Sequence, residues 1–149
     1  MSPPRPVQFS AHALAAMRAE AARAYPNEGC GALLGPADTD VREAIPLPNA
    51  ETDKPRVRFT VSPADYLAVE DEAEARGLRL VGFWHSHPDH PARPSETDRQ
   101  YAWEGLLTVV IAVLNGVPRA LTAWDLPGND LPFRERPVAP SEPSAMSRV

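Results

Sequence analysis

The sequence predicts one domain of the α/β class, of the α+β type, in which helices flank a single β-sheet. Helix-capping signals introduce three segments, and short apolar runs rich in β-branched residues lie between them. The chain of 149 residues is long enough to bury one core. Prolines then separate the predicted domain, residues 8–125, from a proline-rich tail, residues 126–149, which is expected to be disordered or to bind a partner.

The first helix and the first strand carry clear boundary signals. Ser10 can cap a helix over residues 11–24, which are rich in alanine, and Pro26 follows its end. Its apolar stripe comprises Leu14, Met17, Ala21 and Ala24. Glu28 then precedes a short apolar strand, residues 29–35, whose glycines permit close backbone approach.

The middle of the chain predicts a second strand, a loop and a second helix. The strand covers residues 41–45, and the polar residues 51–56 form an exposed loop. Ser62 caps a helix that begins at Pro63 and ends before Gly77. The side chains of this helix expected to face the core are Tyr66, Leu67 and Val69.

The last third of the chain predicts a strand, a helix and then two further strands. An apolar strand over residues 78–84 is closed by two histidines, and a helix capped by Ser95 runs toward Gly105. Residues 106–114 are apolar on both faces and predict a central strand. Asn115-Gly116 then turns the chain into an antiparallel partner strand, residues 117–124.

The two histidines that close the strand suggest a zinc site. Side chains alternate along a strand, so His85 and His87 point to one face and Ser86 to the other. A catalytic zinc takes three protein ligands and keeps one open position, and Asp98, in the first turn of the next helix, is the candidate third ligand. The same residues also fit two structural roles, a solvated strand end and a capping box between Ser95 and Asp98.

The spacing of these residues resembles a known motif. His85-x-His87, seven residues, then Ser95-x-x-Asp98, together with Glu28 in the segment Asn27–Gly35, is similar to the JAMM motif of MPN-domain metalloproteases, of the small prokaryotic type. The resemblance extends over residues 8–125 and includes Pro48-Asn49-Ala50 ahead of a middle strand.

This resemblance implies the MPN/JAMM fold, a cytidine-deaminase-like domain with a curved mixed β-sheet flanked by helices. It implies Zn²⁺ held by His85, His87 and Asp98, with Glu28 as the general base and Ser95 as the oxyanion donor. The implied substrate is a peptide or isopeptide bond at the C-terminus of a ubiquitin-like or sulfur-carrier protein, after a diglycine.

Three alternatives stay open at this point. The chain could be a non-catalytic MPN-type scaffold, or a zinc hydrolase that acts on small acylated amino acids. Cys30 lies near Glu28 on the predicted strand, so a nucleophilic cysteine paired with a histidine is the third. A cysteine among small apolar residues is, however, typical of a buried and inert thiol. His90 is expected to be an ordinary solvated loop residue.

Composition excludes several other classes of protein. The net charge is −5 and no basic block is present, so we expect no nucleic-acid partner. No apolar run reaches the ~20 residues of a membrane helix, and no signal peptide is recognised. A single cysteine excludes an intramolecular disulfide framework. A reducing cytoplasm is the expected location.

Overall fold

The protein folds as a mixed β-sheet packed between helices, as predicted. A computed structural model describes residues 3–128 and 130–139. The strands are β1 (Gln8–Phe9), β2 (Cys30–Gly35), β3 (Asp40–Val41), β4 (Glu43–Leu47), β5 (Arg79–Pro88), β6 (Leu107–Leu114), β7 (Val117–Asp125) and β8 (Arg134–Arg136). The helices are α1 (Ala11–Ala24), α2 (Pro63–Ala75) and α3 (Glu96–Tyr101).

The main sheet has six strands in the order β4-β2-β5-β6-β7-β8. Neighbouring strands are antiparallel except β5 and β6, which are parallel. A parallel pair needs a crossover connection, and the segment that contains α3 provides it. Both histidines lie within β5, which continues to Pro88 rather than ending at Trp84. The crossover therefore starts beside the histidines.

The sheet separates two apolar clusters, and β5 contributes to both. Trp84 belongs to the cluster under α1, where Met17 is fully buried. Phe83 belongs to the cluster under α2, together with Val69 and Val61. Because successive side chains of a strand point to opposite faces, Phe83 and the two histidines share the α2 face of the sheet.

The capping signals of the first two helices are confirmed. The Ser10 hydroxyl accepts a hydrogen bond from the Ala13 amide at 2.9 Å, and Ser62 accepts one from the Asp65 amide at 3.1 Å. In α2, Val69 faces the sheet, whereas the prediction that Leu67 faces the core is wrong because its side chain is 61% exposed. Two residues span about 200° of a helix, so Leu67 and Val69 point in nearly opposite directions. No helix in the described part of the chain is long and apolar enough to cross a membrane.

The third helix is shorter than predicted. It ends at Tyr101, and Ala102 is already extended with ψ near 151°. This change of direction lets the Trp103 ring stack on Phe83 at a centroid distance of 4.5 Å. The following hairpin agrees with the prediction, because Asn115 and Gly116 both adopt positive φ, as a tight two-residue turn requires.

The predicted strand over residues 41–45 is divided in two. The short strand β3 pairs with β1, whereas β4 pairs with β2, so the chain changes partner at Arg42. The expected middle strand after Asn49 is absent, and no strand lies between β4 and α2 in the described chain. Hydrogen bonds of the Asn49 side chain hold this region instead of a strand. Its amide nitrogen donates to the Glu28 and Arg58 carbonyls, and its oxygen accepts from the Glu51 and Thr60 amides.

Part of the predicted tail is packed. The strand β8 pairs with β7, and Val138 forms a parallel bridge with Val7. Arg136 is only 4% exposed, donates to the Arg5 carbonyl at 2.7 Å and bonds the carboxylates of Asp38 and Asp125. The expectation of an unpacked segment beyond residue 125 is therefore wrong for these residues, and residues 140–149 lie outside the described part of the chain.

Candidate metal centre

Two imidazoles and one carboxylate converge at the carboxyl end of β5. The Nε2 atoms of His85 and His87 are 3.2 Å apart, because the two side chains leave the same face of the strand. The Oδ2 atom of Asp98, from α3, lies 3.1 Å from each of them. These three atoms form a triangle, which we call the ligand triangle. The structure thus brings together all three residues that the sequence predicts as metal ligands.

The ligand triangle fits a zinc ion. Zinc bonds to nitrogen and oxygen at about 2.0–2.1 Å, so two ligand atoms of a tetrahedral site lie about 3.3 Å apart. The observed separations of 3.1 to 3.2 Å are close to that spacing. Three protein ligands would leave a fourth position open, as catalytic zinc sites do.

The surroundings of the two histidines keep their Nε2 atoms available. The Nδ1 atom of His87 lies 2.9 Å from the Pro91 carbonyl, an acceptor, so Nδ1 carries the proton and Nε2 of the neutral ring keeps its lone pair. His85 is fully enclosed, and the Phe59 ring stacks on it at 4.5 Å. Burial lowers the pKa of His85, which favours the neutral form that binds metals.

Asp98 belongs to the capping box of α3 and also completes the ligand triangle. Its Oδ2 atom accepts a hydrogen bond from the Ser95 amide at 2.8 Å, and its own amide donates to the Ser95 hydroxyl at 3.0 Å. In the metal-free protein, burial opposes ionisation of Asp98, but the charge of His85 and hydrogen bonds from His85, His87 and the Ser95 amide outweigh it and hold the pKa of the carboxyl well below its usual value. The capping box and the ligand role that the sequence suggested therefore coexist in one side chain.

Glu28 is a buried carboxyl with a fixed backbone. Its side chain is 4% exposed, and its Oε1 atom has no hydrogen-bond partner among the described residues. Its amide donates to the Pro55 carbonyl at 2.7 Å, and the Asn49 carboxamide bonds its carbonyl at 3.2 Å. The next amide, of Gly29, donates to the Ser86 hydroxyl at 2.8 Å. Ser86 thus anchors this segment to β5, a role that its predicted position opposite the histidines did not reveal.

The environment of Glu28 disfavours its charged form when no cation is bound. Burial, and secondarily the charge of Asp98, raise its pKa to about 9. Below its ordinary pKa of 4.5 the carboxyl is protonated whether the chain is folded or unfolded. Between 4.5 and about 9 only the folded state holds the proton, so the free energy of unfolding falls as the pH rises.

We therefore expect Glu28→Gln to stabilise the metal-free protein. Glutamine has the same size and no proton to lose, so at pH 7 the variant should exceed the parent in free energy of unfolding by about 2–3 kcal/mol. At pH 4 the two proteins should be nearly equal. Urea unfolding of chelator-treated protein at both pH values measures this difference. A stability difference between the two proteins that is the same at pH 7 as at pH 4 would show that the pKa of Glu28 is not raised in the folded protein.

A cavity opens beside the ligand triangle. Its volume is about 390 Å³, and Glu28, His87 and Ser95 line it. Ser95 is exposed, and the predicted catalytic residues and one metal ligand therefore line the same cavity. His90 and Arg93 also line the cavity. Neither residue was predicted to belong to the site, although both lie in the loop between the predicted ligands His87 and Asp98.

Cys30 does not fit the role of a nucleophile. Its thiol is buried, with the sulfur 3.6 Å from the Leu47 carbonyl and 3.8 Å from that of Pro48. Burial, and then the charge of Glu28, raise the pKa of the thiol to about 12. The thiolate that would attack a carbonyl is therefore scarce at neutral pH, which argues against the cysteine–histidine alternative.

Comparison with known proteins identifies relatives over most of the chain. Residues 10–127 match the family described as prokaryotic homologs of the JAB domain. The desampylase of Haloferax volcanii is 34% identical over 116 residues, which are 76% of this chain and 78% of that protein. The CysO-cysteine peptidase of Mycobacterium tuberculosis is 37% identical over 90 residues, 60% of each chain. Tail tip assembly protein K of Escherichia phage N15 is 33% identical over 129 residues, but the match spans only 46% of that protein.

Solved structures agree with the fold. A protein of Desulfitobacterium hafniense superposes with a TM-score of 0.75 at 28% identity, covering 91% of this chain and 94% of its own. A JAB1/MPN domain protein of Archaeoglobus fulgidus, at 20% identity, has a TM-score of 0.55 and covers 90% of this chain and all of its own. Because its sequence identity is low, this second structure supports the fold alone. The predicted MPN-type fold is confirmed, and the predicted class of JAMM-type metallopeptidase agrees with the peptidase relatives. The chain belongs to the family of prokaryotic homologs of the JAB domain.

Proposed function

We propose that this protein is a zinc-dependent peptidase that hydrolyses a peptide or isopeptide bond at the C-terminus of a ubiquitin-like or sulfur-carrier protein, after a diglycine. The observation that carries the proposal is the ligand triangle, with edges of 3.1 to 3.2 Å, beside a cavity lined by the buried carboxyl of Glu28. The names of two relatives, a desampylase and a CysO-cysteine peptidase, support this substrate class.

His85, His87 and Asp98 would hold the metal. When bound there, zinc supplies a Lewis acid for the scissile carbonyl and lowers the pKa of water. The surroundings favour this donor set, because burial lowers the pKa of His85, His87 donates from Nδ1 to the Pro91 carbonyl, and the pKa of Asp98 is held well below its usual value.

Glu28 is the proposed general base and acid. It accepts a proton from the attacking water and later returns that proton to the leaving amine as the carbon–nitrogen bond breaks. A nearby cation would offset the repulsion from Asp98 and favour the carboxylate form that can accept a proton.

Ser95 is the proposed oxyanion donor. Its oxygen already accepts the Asp98 amide at 3.0 Å, which fixes the hydroxyl at the start of α3 while its own proton stays free to donate. A hydrogen bond from this hydroxyl to the substrate oxygen strengthens as negative charge develops there.

The size of the cavity restricts the substrate. A volume of about 390 Å³ is typical of small-molecule sites and is far too small for a folded domain. The scissile bond must therefore lie in an extended segment, such as the C-terminal tail of a carrier protein. Glycines next to the bond allow the tail to approach the backbone closely. The cytoplasmic location and the absence of a nucleic-acid partner stay predictions.

A cleavage assay on a carrier-protein fusion tests the proposal. We expect the zinc-loaded protein to cut a ubiquitin-like carrier fused through Gly-Gly to a short peptide, with mass spectrometry locating the cut after the second glycine. A chelator should abolish cleavage and added zinc should restore it, because both the Lewis acid and the activated water depend on the metal. A fusion with Ala-Ala in place of Gly-Gly is the matched control.

Two outcomes would contradict the proposal. A zinc-loaded protein that cuts no carrier fusion would favour the scaffold alternative. Turnover of small acylated amino acids without any carrier would favour the small-molecule hydrolase.

A further inference from the structure

The cavity beside the ligand triangle contains a guanidinium that the proposed chemistry does not use. Arg93 lines this cavity together with Glu28. The residue is exposed, and within residues 3–128 and 130–139 its side chain has neither an ion pair nor a hydrogen bond. An unpaired cation beside a reaction centre is available to bind a negatively charged group of the substrate.

The loop that carries Arg93 is fixed at its start. The Asp89 carboxylate accepts a hydrogen bond from the Tyr25 hydroxyl at 2.6 Å and another from the Asn115 amide at 2.8 Å. The Asp89 amide donates to the Val113 carbonyl at 2.6 Å. The loop is thereby tied both to the segment after α1 and to the β6–β7 turn.

The middle of the same loop is held from two further sides. The Pro91 carbonyl bonds Nδ1 of His87, and the Ala92 carbonyl accepts the Thr122 hydroxyl at 2.7 Å. The Arg93 amide donates back to the Pro91 carbonyl at 2.8 Å. The backbone of Arg93 is therefore positioned by the same contacts that orient a proposed metal ligand, and its side chain starts from a defined point on the cavity wall.

The chemistry of the leaving group indicates what this cation would bind. When the scissile amide joins the carrier to a single amino acid, the leaving nitrogen is attached to a carbon that also bears a free carboxylate. When the leaving nitrogen belongs to a lysine side chain, no carboxylate lies near it. A carboxylate close to Glu28 and Asp98 needs a compensating cation, and a guanidinium binds carboxylates through two parallel hydrogen bonds.

We infer that Arg93 binds the α-carboxylate of the leaving amino acid, so that the enzyme prefers carriers that end in a diglycine followed by one amino acid. The inference rests on the proposed function. In this reaction the amide carbon–nitrogen bond breaks, the oxygen of water bonds to the carbonyl carbon, and the amine takes the proton carried by Glu28. The products are the carrier with a terminal carboxylate and one free amino acid.

A matched pair of substrates tests the inference. Both are the same carrier ending in Gly-Gly-Ala, one with a free carboxylate and the other with a terminal carboxamide. We expect the wild-type protein to cleave the acid with a kcat/KM about tenfold to a hundredfold above that of the amide, mainly through a lower KM, as a charged hydrogen bond to the substrate would give.

Substitution at position 93 should remove this preference selectively. Arg93→Gln should reduce the ratio of kcat/KM for the acid to kcat/KM for the amide to about one, and Arg93→Lys should restore part of the preference. Arg79→Gln is the matched control, because it removes the same charge from an exposed arginine at the far end of β5, about 20 Å from His85.

Two results would overturn the inference alone, and a third would overturn the proposed function with it. Equal cleavage of acid and amide by the wild-type protein would overturn it and leave the proposed function intact. So would an Arg93→Gln protein that keeps the preference for the acid. Failure of the wild-type protein to cut either substrate would remove the proposed function and this inference together. The wild-type comparison requires no variant, so poor folding of an Arg93 variant does not prevent the test.

Discussion

The Glu28→Gln protein is expected to bind one zinc ion per chain and to cleave the carrier fusion about 10²- to 10⁴-fold more slowly than the wild-type protein. Glutamine fills the same space but cannot accept a proton. Glu28 is not a member of the ligand triangle, so the metal should stay bound. Metal content by mass spectrometry and initial rates on the zinc-loaded protein measure the two effects separately.

A matched control is available for this substitution. Glu70→Gln removes the same charge from an exposed position on α2, away from the cavity, and should leave both zinc content and rate unchanged. A fully active Glu28→Gln protein would refute the assignment of the general base. A variant without zinc would show instead that Glu28 takes part in metal binding.

Asp98→Asn is expected to lose both the zinc ion and the activity. Asparagine keeps an oxygen that can accept the Ser95 amide, so the start of α3 is preserved while the anionic ligand is lost. Loss of even a hydrogen-bond partner of a ligand weakens metal binding about 10- to 100-fold, so loss of the ligand itself should cost more than about 100-fold. Zinc titration against a competing chelator measures the affinity.

Ser95→Ala separates the two roles of Asp98. It removes the hydroxyl that caps the Asp98 amide and should cost about 1 kcal/mol of stability, yet it leaves the ligand triangle complete. The variant should therefore bind zinc. If Asp98→Asn binds zinc as tightly as the wild-type protein does, the carboxylate is only a cap and the proposed centre is wrong.

The histidine pair could be predicted from the sequence because it depends on a local rule. Alternation along one strand places His85 and His87 on the same face, and the structure shows their Nε2 atoms 3.2 Å apart. The position of Asp98 could be predicted for a similar reason, since the capping residue Ser95 marks the first turn of the helix that contains it. Local rules therefore predicted where each ligand lies on its own strand or helix, and the resemblance to a family predicted that the three ligands meet.

What the sequence could not predict depends on contacts between distant segments. Asn49 gave no sign that its carboxamide would bond the Glu28 and Arg58 carbonyls in place of a strand. The packed part of the tail was missed because a proline-rich composition does not show that Arg136 will bond a carbonyl 131 residues away. Arg93 was missed because a loop has no periodicity that indicates where a side chain points.

The closing strand β8 has a consequence for the protein while it is being synthesised. Until residues 134–136 have left the ribosome, the end of β7 at Ala123–Asp125 presents unpaired amides and carbonyls, and such an edge readily pairs with another chain. By pairing with this end of β7, β8 therefore lowers the tendency of the sheet edge to aggregate. Incomplete chains that stop short of it would be the species most in need of a chaperone.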